Sequence, residues 1–295
     1  VVLASLLHDS ALHLAEPGFE QLILGDAKNN RVDGFDDASW PTVWEEFLFN
    51  ARRWTNEKLT DVFGEHFVKQ GMSVSNPFDR WNNLNDSDKK LIGEFIRLHH
   101  PRLAHEFALF GIPGVRSQFL KLPEALSLEW RDLAGIVARS HGLPLRACLD
   151  YIASRYHRRE YQGVHAVYLM TLLRLSDYLQ LSADRAPGIV FAYRVLPSRV
   201  SNLEWRAHHA VKNITPEHED PESVEIRAQP DDVDTFLRLR DWLDGIQGEL
   251  DTSWAVLGEV YGRFPNLRVL GLQWRRVRSN LDDLNAFART VPYLP

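Results

Sequence analysis

His8 and Asp9, two adjacent side chains near the start of the chain, carry ligand types that bind divalent cations. They end the apolar run of residues 1–7, where a helix ordinarily ends on a capping or solvated polar residue. The neutral imidazole offers an acceptor nitrogen and the carboxylate offers acceptor oxygens, so one ion can contact both. A lone His-Asp pair is more often a helix end without a function. A metal site is therefore indicated only if later segments supply further ligands.

Further histidines follow in a later predicted helix. His99 and His100 precede Pro101, which disfavours helical geometry at His100 and cannot donate to the preceding turn. We therefore expect a kink or a fresh helix start at this point, which would turn a histidine out of the apolar stripe and into a cleft. His100 is the favoured ligand, although His99 and His105 compete with it for the role.

His141 and Asp177 are the remaining candidates, and each has a structural alternative. His141 lies in the last turn of a predicted helix, where a protonated imidazole is stabilised by the negative end of the helix dipole. Asp177 has apolar neighbours on both sides, and a buried carboxylate without a partner is strongly destabilising. Its partner is either Arg174, three residues earlier, or a metal shared with His8 and Asp9.

The composition limits the function classes. With 295 residues, 44% hydrophobic and 25% charged, the chain matches a soluble globular protein of one large or two ordinary domains. Its net charge of −6 makes nucleic-acid binding unlikely, and we interpret the basic run at 275–278 as a charged strand edge. No apolar run approaches the roughly 20 residues that span a bilayer. The single Cys148 indicates a reducing compartment, so we expect a cytoplasmic protein with no membrane partner.

Hydrophobic periodicity predicts a mainly α-helical chain in two domains, a helical bundle over residues 1–187 and a smaller α+β extension over 188–295. Helices are predicted in the bundle over residues 1–15, 42–50, 56–67, 86–110, 126–140, 145–158 and 164–181. Runs of β-branched and aromatic residues predict a short antiparallel sheet in the extension, with strands at 189–193, 203–214, 224–228 and 267–277. Two helices, 231–261 and 280–290, complete it. The pair His208-His209 falls on a predicted strand and is interpreted as structural or as part of an interface.

The candidate ligands occur in the order His-Asp, His, His, Asp, on four different predicted helices. In this order the chain resembles the HD-domain metal-dependent phosphohydrolases. Residues 6–9 are similar to that family's signature doublet, and residues 174–179 are similar to its closing motif, a leucine-rich helix with an Arg and a terminal Asp ligand. The wider pattern, in residues 95–100, 174–185 and 205–209, resembles the subgroup of HD domains with a C-terminal extension. Members of that subgroup are often joined to an Hsp90-like ATPase module.

This resemblance implies an HD-type helical bundle and hydrolysis of a nucleotide or related phosphoester by a metal-activated water. The metal ligands would be His8, Asp9 and Asp177. His100 and His141 would complete a second metal site, contact the phosphate or assist proton transfer. One or two divalent ions (Mn, Fe, Zn, Ni or Mg) would bind. Arginines near these ligands would neutralise the phosphate charge, the candidates being Arg97, Arg139 and Arg174.

Two departures from the family pattern leave a second hypothesis open. HD enzymes usually carry a further metal-binding histidine well before the doublet, whereas only seven residues precede His8 here. Ser10 stands where many members carry Ile-Gly. We therefore expect either a domain cut from a longer chain or a degenerate site. A degenerate site would make the chain a regulatory or binding module that couples nucleotide or partner binding to an attached ATPase or another subunit. The pattern leans towards an enzyme and leaves a homo-oligomer open.

Overall fold

The structure, a computed structural model, describes residues 1–114, 119–123, 125–181, 199–262 and 272–283. The chain divides into two compact units, residues 1–173 and residues 174–295. Helices dominate both, and a three-stranded sheet belongs to the second. The prediction of a mainly helical fold with a small C-terminal sheet is confirmed. Among the helices of these described ranges, none combines the length and the apolar character needed to cross a membrane.

The helices of the first unit are α1 (Val2–Leu7), α2 (Glu16–Ile23), α3 (Trp40–Ala51), α4 (Asn56–Phe63), α5 (Glu65–Lys69), α6 (Asp86–Phe110), α7 (Leu128–Arg139), α8 (Leu145–Arg155) and α9 (Ala166–Tyr178), the last continuing into the second unit. Short 3₁₀ turns cover Ser10–His13, Asp26–Asn29, Pro77–Asn83 and Ser140–Gly142. A small antiparallel ribbon pairs β1 (Ile112–Pro113) with β2 (Phe119–Leu120). The helix predicted over 1–15 is shorter, since α1 ends at Leu7. The one predicted over 56–67 is divided at Gly64, whose φ of 95° does not fit a helix.

Helix α6 carries the adjacent histidines and is fixed at its N-terminus by a capping box. Asn85 accepts from the backbone N–H of Asp88, and Asp88 accepts from that of Asn85, each at 2.9 Å. The helix passes through Pro101 and ends before Gly111, where φ is 94°. Of the two expected alternatives, the fresh start beside His100 is therefore wrong, and the kink stays a prediction. A proline removes one hydrogen bond, and the buried turns on either side hold the helix together.

The core of the first unit is an aromatic cluster around Phe95 of α6. Its ring lies 5.0–6.0 Å, centroid to centroid, from the rings of Phe19, Trp40, Trp44 and Phe47. All five side chains are buried. Each such pair contributes about 0.5–1.5 kcal/mol beyond the area it buries. The cluster fixes α2 and α3 against the N-terminal half of α6.

The second unit begins its described part with the end of α9 and continues with α10 (Arg199–Ala210), β3 (Val211–Pro216), β4 (Ser223–Ala228), α11 (Val233–Tyr261) and β5 (Arg276–Ser279). Strands β3 and β4 are antiparallel, with Val211 opposite Ala228. Strand β5 joins β4 in parallel, with Val277 opposite Val224. The N-cap of α11 is Asp232, which accepts from the Thr235 N–H at 2.8 Å, so the predicted helix is confirmed.

The extension differs from the prediction in its strands. Residues 203–210 belong to α10, because burying Ala207 and Ala210 in the unit's core outweighs a weak β preference. His208 and His209 therefore lie in the last turn of a helix. The sheet is mixed in orientation, since β5 pairs in parallel. Residues 280–282 form a 3₁₀ turn, and the predicted elements at 189–193, 267–271 and 284–290 lie outside the described residues.

The basic run at 275–278 lies at and beside β5, an edge of the described sheet. Arg276 pairs with Asp220 at 3.0 Å, and Arg278 pairs with Glu217 at 3.1 Å. Charged side chains on an edge strand oppose pairing with another chain. The acidic partners also reduce the positive charge that a nucleic acid requires.

Candidate metal centre

Three elements of the first unit bring four candidate ligands together. His8 caps the C-terminus of α1 and Asp9 follows it. His100 lies in α6, and His141 lies in the 3₁₀ turn that continues α7. The accessible fraction of the side chain is 12% for His8, 40% for Asp9 and 17% for His100. The cluster is therefore mostly enclosed, with its carboxylate facing solvent in part.

The donor atoms of this cluster are close enough to share one ion. His141 Nε2 lies 2.7 Å from His100 Nε2, which lies 3.5 Å from one Asp9 oxygen. The other Asp9 oxygen lies 3.3 Å from His8 Nε2. One ligand atom from each of Asp9, His100 and His141 falls within 4.8 Å of the others. Ligand atoms about 2.1 Å from a tetrahedral ion lie about 3.4 Å apart, so the 3.3 and 3.5 Å separations suit a common cation, whereas the 2.7 Å between the two imidazole nitrogens is shorter than this spacing.

The three imidazoles present the same nitrogen to the cluster. His8 Nδ1 lies 2.6 Å from the Ser5 carbonyl, and the same atom of His100 and of His141 lies 2.7 and 2.5 Å from the carbonyl three residues earlier. A carbonyl oxygen only accepts, so each Nδ1 carries a proton, and the Nε2 of each neutral imidazole presents a lone pair. The Nε2 lone pairs of His100 and His141 therefore face each other across 2.7 Å. Such a contact needs a shared proton or a cation. Histidines that bind a metal commonly donate their other ring N–H to a backbone carbonyl, as these histidines do.

Asp9 is the anionic member of the cluster. Its contact with His8, together with the electrostatic effect of His100 and His141, outweighs burial and holds the pKa of the Asp9 carboxyl below its usual range. The side chain is therefore ionised at neutral pH. A carboxylate beside three imidazoles is a donor set that fits a divalent cation.

Asp177 lies in the last turn of α9, in the part of that helix that belongs to the second unit. Its role as a metal ligand stays a prediction from the sequence.

The three arginines predicted to contact phosphate each bind a carboxylate instead. Arg97 donates to Glu94 at 2.8 and 2.9 Å, and Arg139 donates to Asp37 through two bonds of 2.8 Å. In the second unit Arg174 donates to the buried Glu249 at 2.6 and 2.7 Å. Each of these guanidinium groups is therefore already engaged by a carboxylate, and their role towards phosphate stays a prediction.

Arg139 belongs to a buried ionic network that the sequence analysis missed. Its partner Asp37 also lies 3.7 Å from Arg102, which donates to Glu106 at 2.8 Å. The indole N–H of Trp40 donates to Glu106 at 2.7 Å. Burial raises the pKa of Glu106 to about 7, against the opposing effect of Arg102. The network ties the segment before α3 to α6 and α7, the two helices that carry His100 and lead into His141.

The structure distinguishes His100 from the two histidines that compete with it. The ring of His99 contacts the rings of Trp40 and Phe95, and burial together with the charge of Arg102 lowers the pKa of His99 to about 4. His105 is fully buried and pairs through Nε2 with Asp132 at 2.8 Å. Both are side chains of the core.

Asp132 is the centre of a second polar group in the first unit. It accepts from His105 and from the hydroxyls of Tyr151 and Tyr156, at 2.8, 2.6 and 2.5 Å. A cavity of about 500 Å³ opens beside it, and the metal cluster does not line this cavity. Asp132 shares the buried stripe of α7 with Leu133, so the argument that selected Asp177 applied equally to this residue.

Comparison with known proteins places most of the chain in one family. The model of the HD-CE family matches residues 1–252, and this range includes all five predicted metal ligands. Searches of the curated proteins and of the solved structures found no match.

Proposed function

This chain belongs to the HD-CE family, HD-type domains with a C-terminal extension, and we propose that it is a metal-dependent phosphohydrolase acting on a nucleotide or related phosphoester. The observation that carries the proposal is the convergence of the Asp9 carboxylate with the Nε2 atoms of His8, His100 and His141. Imidazoles with fixed tautomers and an ionised carboxylate are expected of a metal-binding centre. In a purely structural polar cluster, donors usually face acceptors, because lone pairs that face one another repel.

Asp9, His100 and His141 would hold the ion, with His8 as a further ligand from the first unit and Asp177 as the ligand that the sequence predicts. A bound divalent cation lowers the pKa of a coordinated water and polarises a phosphoryl oxygen. A set rich in imidazole favours Mn, Fe, Zn or Ni over Mg, which prefers oxygen ligands. We therefore expect one of the first four ions, most simply as a single ion.

The side chains of the cluster have distinct tasks in this proposal. Asp9 supplies the negative charge that compensates the cation. Where His8 is not engaged as a ligand, its imidazole would accept the proton of the attacking water at Nε2, because its Nδ1 is bound to the Ser5 carbonyl. The same nitrogen then returns the proton to the leaving oxygen. The three carbonyl contacts keep the rings in this orientation throughout.

A second candidate function is a regulatory module that binds a metal or nucleotide without turnover. The observation that favours it is the pairing of Arg97, Arg139 and Arg174 with carboxylates, because a phosphate would have to compete for each guanidinium. In that case the domain would signal to an Hsp90-like ATPase module in the same chain or in a partner. Cytoplasmic location and a homo-oligomer also remain predictions.

The test is metal content followed by turnover. Wild type, His100→Ala, His141→Ala and the control His218→Ala, which changes an exposed histidine of the second unit, are purified and measured by elemental analysis. We expect near-stoichiometric metal in wild type and control and its loss in the two cluster variants. Loaded protein is then assayed against nucleoside mono-, di- and triphosphates. Hydrolysis that is lost in the cluster variants supports the enzyme, and binding without hydrolysis supports the regulatory module. Wild type that binds no metal, even with added Mn²⁺, refutes both as metal proteins.

A further inference from the structure

A backbone carbonyl orients each of the three site histidines. The carbonyl bound to His100 lacks a backbone N–H partner for a different reason from the other two. His8 and His141 use carbonyls at the C-terminal ends of α1 and α7, where the last four carbonyls of a helix have no intrahelical partner. His100 lies in the interior of α6, where a carbonyl is normally bound by the N–H four residues later. For the Arg97 carbonyl that donor would be residue 101, which is a proline without an N–H. The carbonyl binds the imidazole of His100 instead, at 2.7 Å.

Pro101 also packs on the residue that follows His141. A Cβ atom placed on Gly142 would lie 2.3 Å from Pro101 Cγ and 2.5 Å from Pro101 Cβ. The φ of Gly142 is not positive, so glycine is needed there for space rather than for backbone conformation. Seven residues earlier, a Cβ on Gly135 would lie 2.3 Å from His105 Cδ2. These two close contacts fix α6 against α7 and bring the two ligand nitrogens to 2.7 Å.

We propose that Pro101 is a positioning residue of the metal centre, an inference that rests on the proposed function. Its missing N–H leaves the Arg97 carbonyl to fix the tautomer of His100, and its ring sets the distance to His141 through the contact with Gly142. Both effects act on the same atom, since they decide whether His100 Nε2 carries a lone pair and where that lone pair lies. A proline inside a helix, which is ordinarily unfavourable, is thereby explained.

Pro101→Ala in the full 295-residue chain tests the first effect. The restored N–H would compete for the Arg97 carbonyl, so the proton of His100 should distribute over both ring nitrogens. Nitrogen-15 NMR of the metal-free protein reports this directly. It should show Nδ1 of His100 protonated in wild type and only partly protonated in the variant. Zn²⁺ affinity, measured by titration calorimetry, should fall about 10- to 100-fold, as it does when outer-shell partners of metal ligands are removed.

Two further variants separate the effect on the tautomer of His100 and the effect on the position of His141 from a general loss of stability. Gly142→Ala should keep the tautomer of His100 but weaken Zn²⁺ binding, because the added methyl group meets Pro101 and must displace His141 from its place in the cluster. Gly93→Ala is the matched control on the same helix, since a Cβ there meets nothing within 4 Å. It should change neither readout. Alanine is a better helix former than the residue it replaces in Pro101→Ala, so that variant should fold, which circular dichroism checks.

The outcomes distinguish this inference from the function on which it rests. Pro101→Ala with the wild-type tautomer, or with wild-type Zn²⁺ affinity, overturns the inference while the metal centre stands. Wild type that does not bind Zn²⁺ overturns the metal centre, and the NMR measurement still shows whether Pro101 fixes the imidazole. A mixed tautomer together with weakened binding supports the positioning role.

Discussion

Replacing Asp37 by asparagine should destabilise the first unit by about 3 kcal/mol, the lower end of the cost of breaking a buried ion pair, because the arginine partners are buried while Asp37 itself is partly exposed. Asp37 accepts two bonds of 2.8 Å from Arg139 and lies 3.7 Å from Arg102. Burial raises the pKa of the Asp37 carboxyl, but the contacts with Arg139 outweigh burial and hold that pKa below its usual range. The carboxylate is therefore charged in the folded protein, and its loss leaves a cationic pair behind.

The magnitude follows from the burial of the two guanidinium groups. The side chains of Arg139 and Arg102 are only 5% and 10% exposed, so water cannot replace the lost carboxylate. Each hydrogen bond to a charged group contributes about 1.5–3 kcal/mol, and two are affected. Asparagine keeps one oxygen acceptor, but its NH₂ group faces an arginine N–H, so part of this amount is lost outright. The retained bond from Arg102 to Glu106 limits the total.

Asp33→Asn is the matched control, because it makes the same chemical change in the same segment at the surface. Asp33 is 98% exposed and pairs with Arg155, so its loss should cost about 0–1 kcal/mol. Hydrogen exchange of peptides from α7 reports the local free energy of opening. Three kcal/mol corresponds to an acceleration of more than about a hundredfold. Equal exchange in the two variants would refute the argument that burial makes the Asp37 pair important.

Three further predictions concern pH, helix stability and metal removal. With its pKa raised to about 7, folded Glu106 keeps a proton that the unfolded chain releases near its ordinary pKa of 4.5, so stability declines as the pH rises through this window. Glu106→Gln should flatten this decline in thermal unfolding between pH 5 and 8, and an unchanged slope would contradict the assignment. Gly93→Ala should raise the free energy of unfolding by about 1 kcal/mol in urea titrations, because an exposed helical glycine has space for a methyl group. Removing a metal held at 100 times its Kd should cost about 2.7 kcal/mol, seen as a lower Tm after chelation in wild type and as no change in His100→Ala.

Local signals predicted the helices well where caps and apolar stripes coincide. The capping box of Asn85 and Asp88 and the N-cap Asp232 mark the starts of α6 and α11, and the apolar stripe carries each helix onward. Residues 203–210 do not combine a cap with an apolar stripe, and their aromatic and histidine residues carry little preference for helix or strand. The helical conformation there is decided by the packing of Ala207 and Ala210 in the core of the second unit, which cannot be predicted from the local sequence.

The sequence is sufficient to select His100 over His99 as a ligand. It is not sufficient to predict that the ligand atoms of His100 and His141 lie close together. His99 continues the stripe of Phe95 at i+4, so it belongs to the core, whereas the next residue lies about 100° further round the helix. The 2.7 Å approach of His100 to His141 depends on the close contact of α6 with α7. That contact requires a proline and a glycine from segments 41 residues apart, and only the folded chain shows that they meet.

Asp9 and Asp132 show why the rule that a buried carboxylate needs a partner finds structure more readily than function. The partners of Asp132 are two hydroxyls and a ring N–H, so its oxygens are saturated by protons and need no ion. The imidazoles beside Asp9 donate their Nδ1–H groups to backbone carbonyls, and in the neutral form they present Nε2 lone pairs to the cluster. Proton donors around a carboxylate satisfy its oxygens, whereas acceptors around it need a cation or a shared proton. The orientation of the neighbouring groups, and not the burial of the carboxylate, therefore distinguishes a metal site from a polar core.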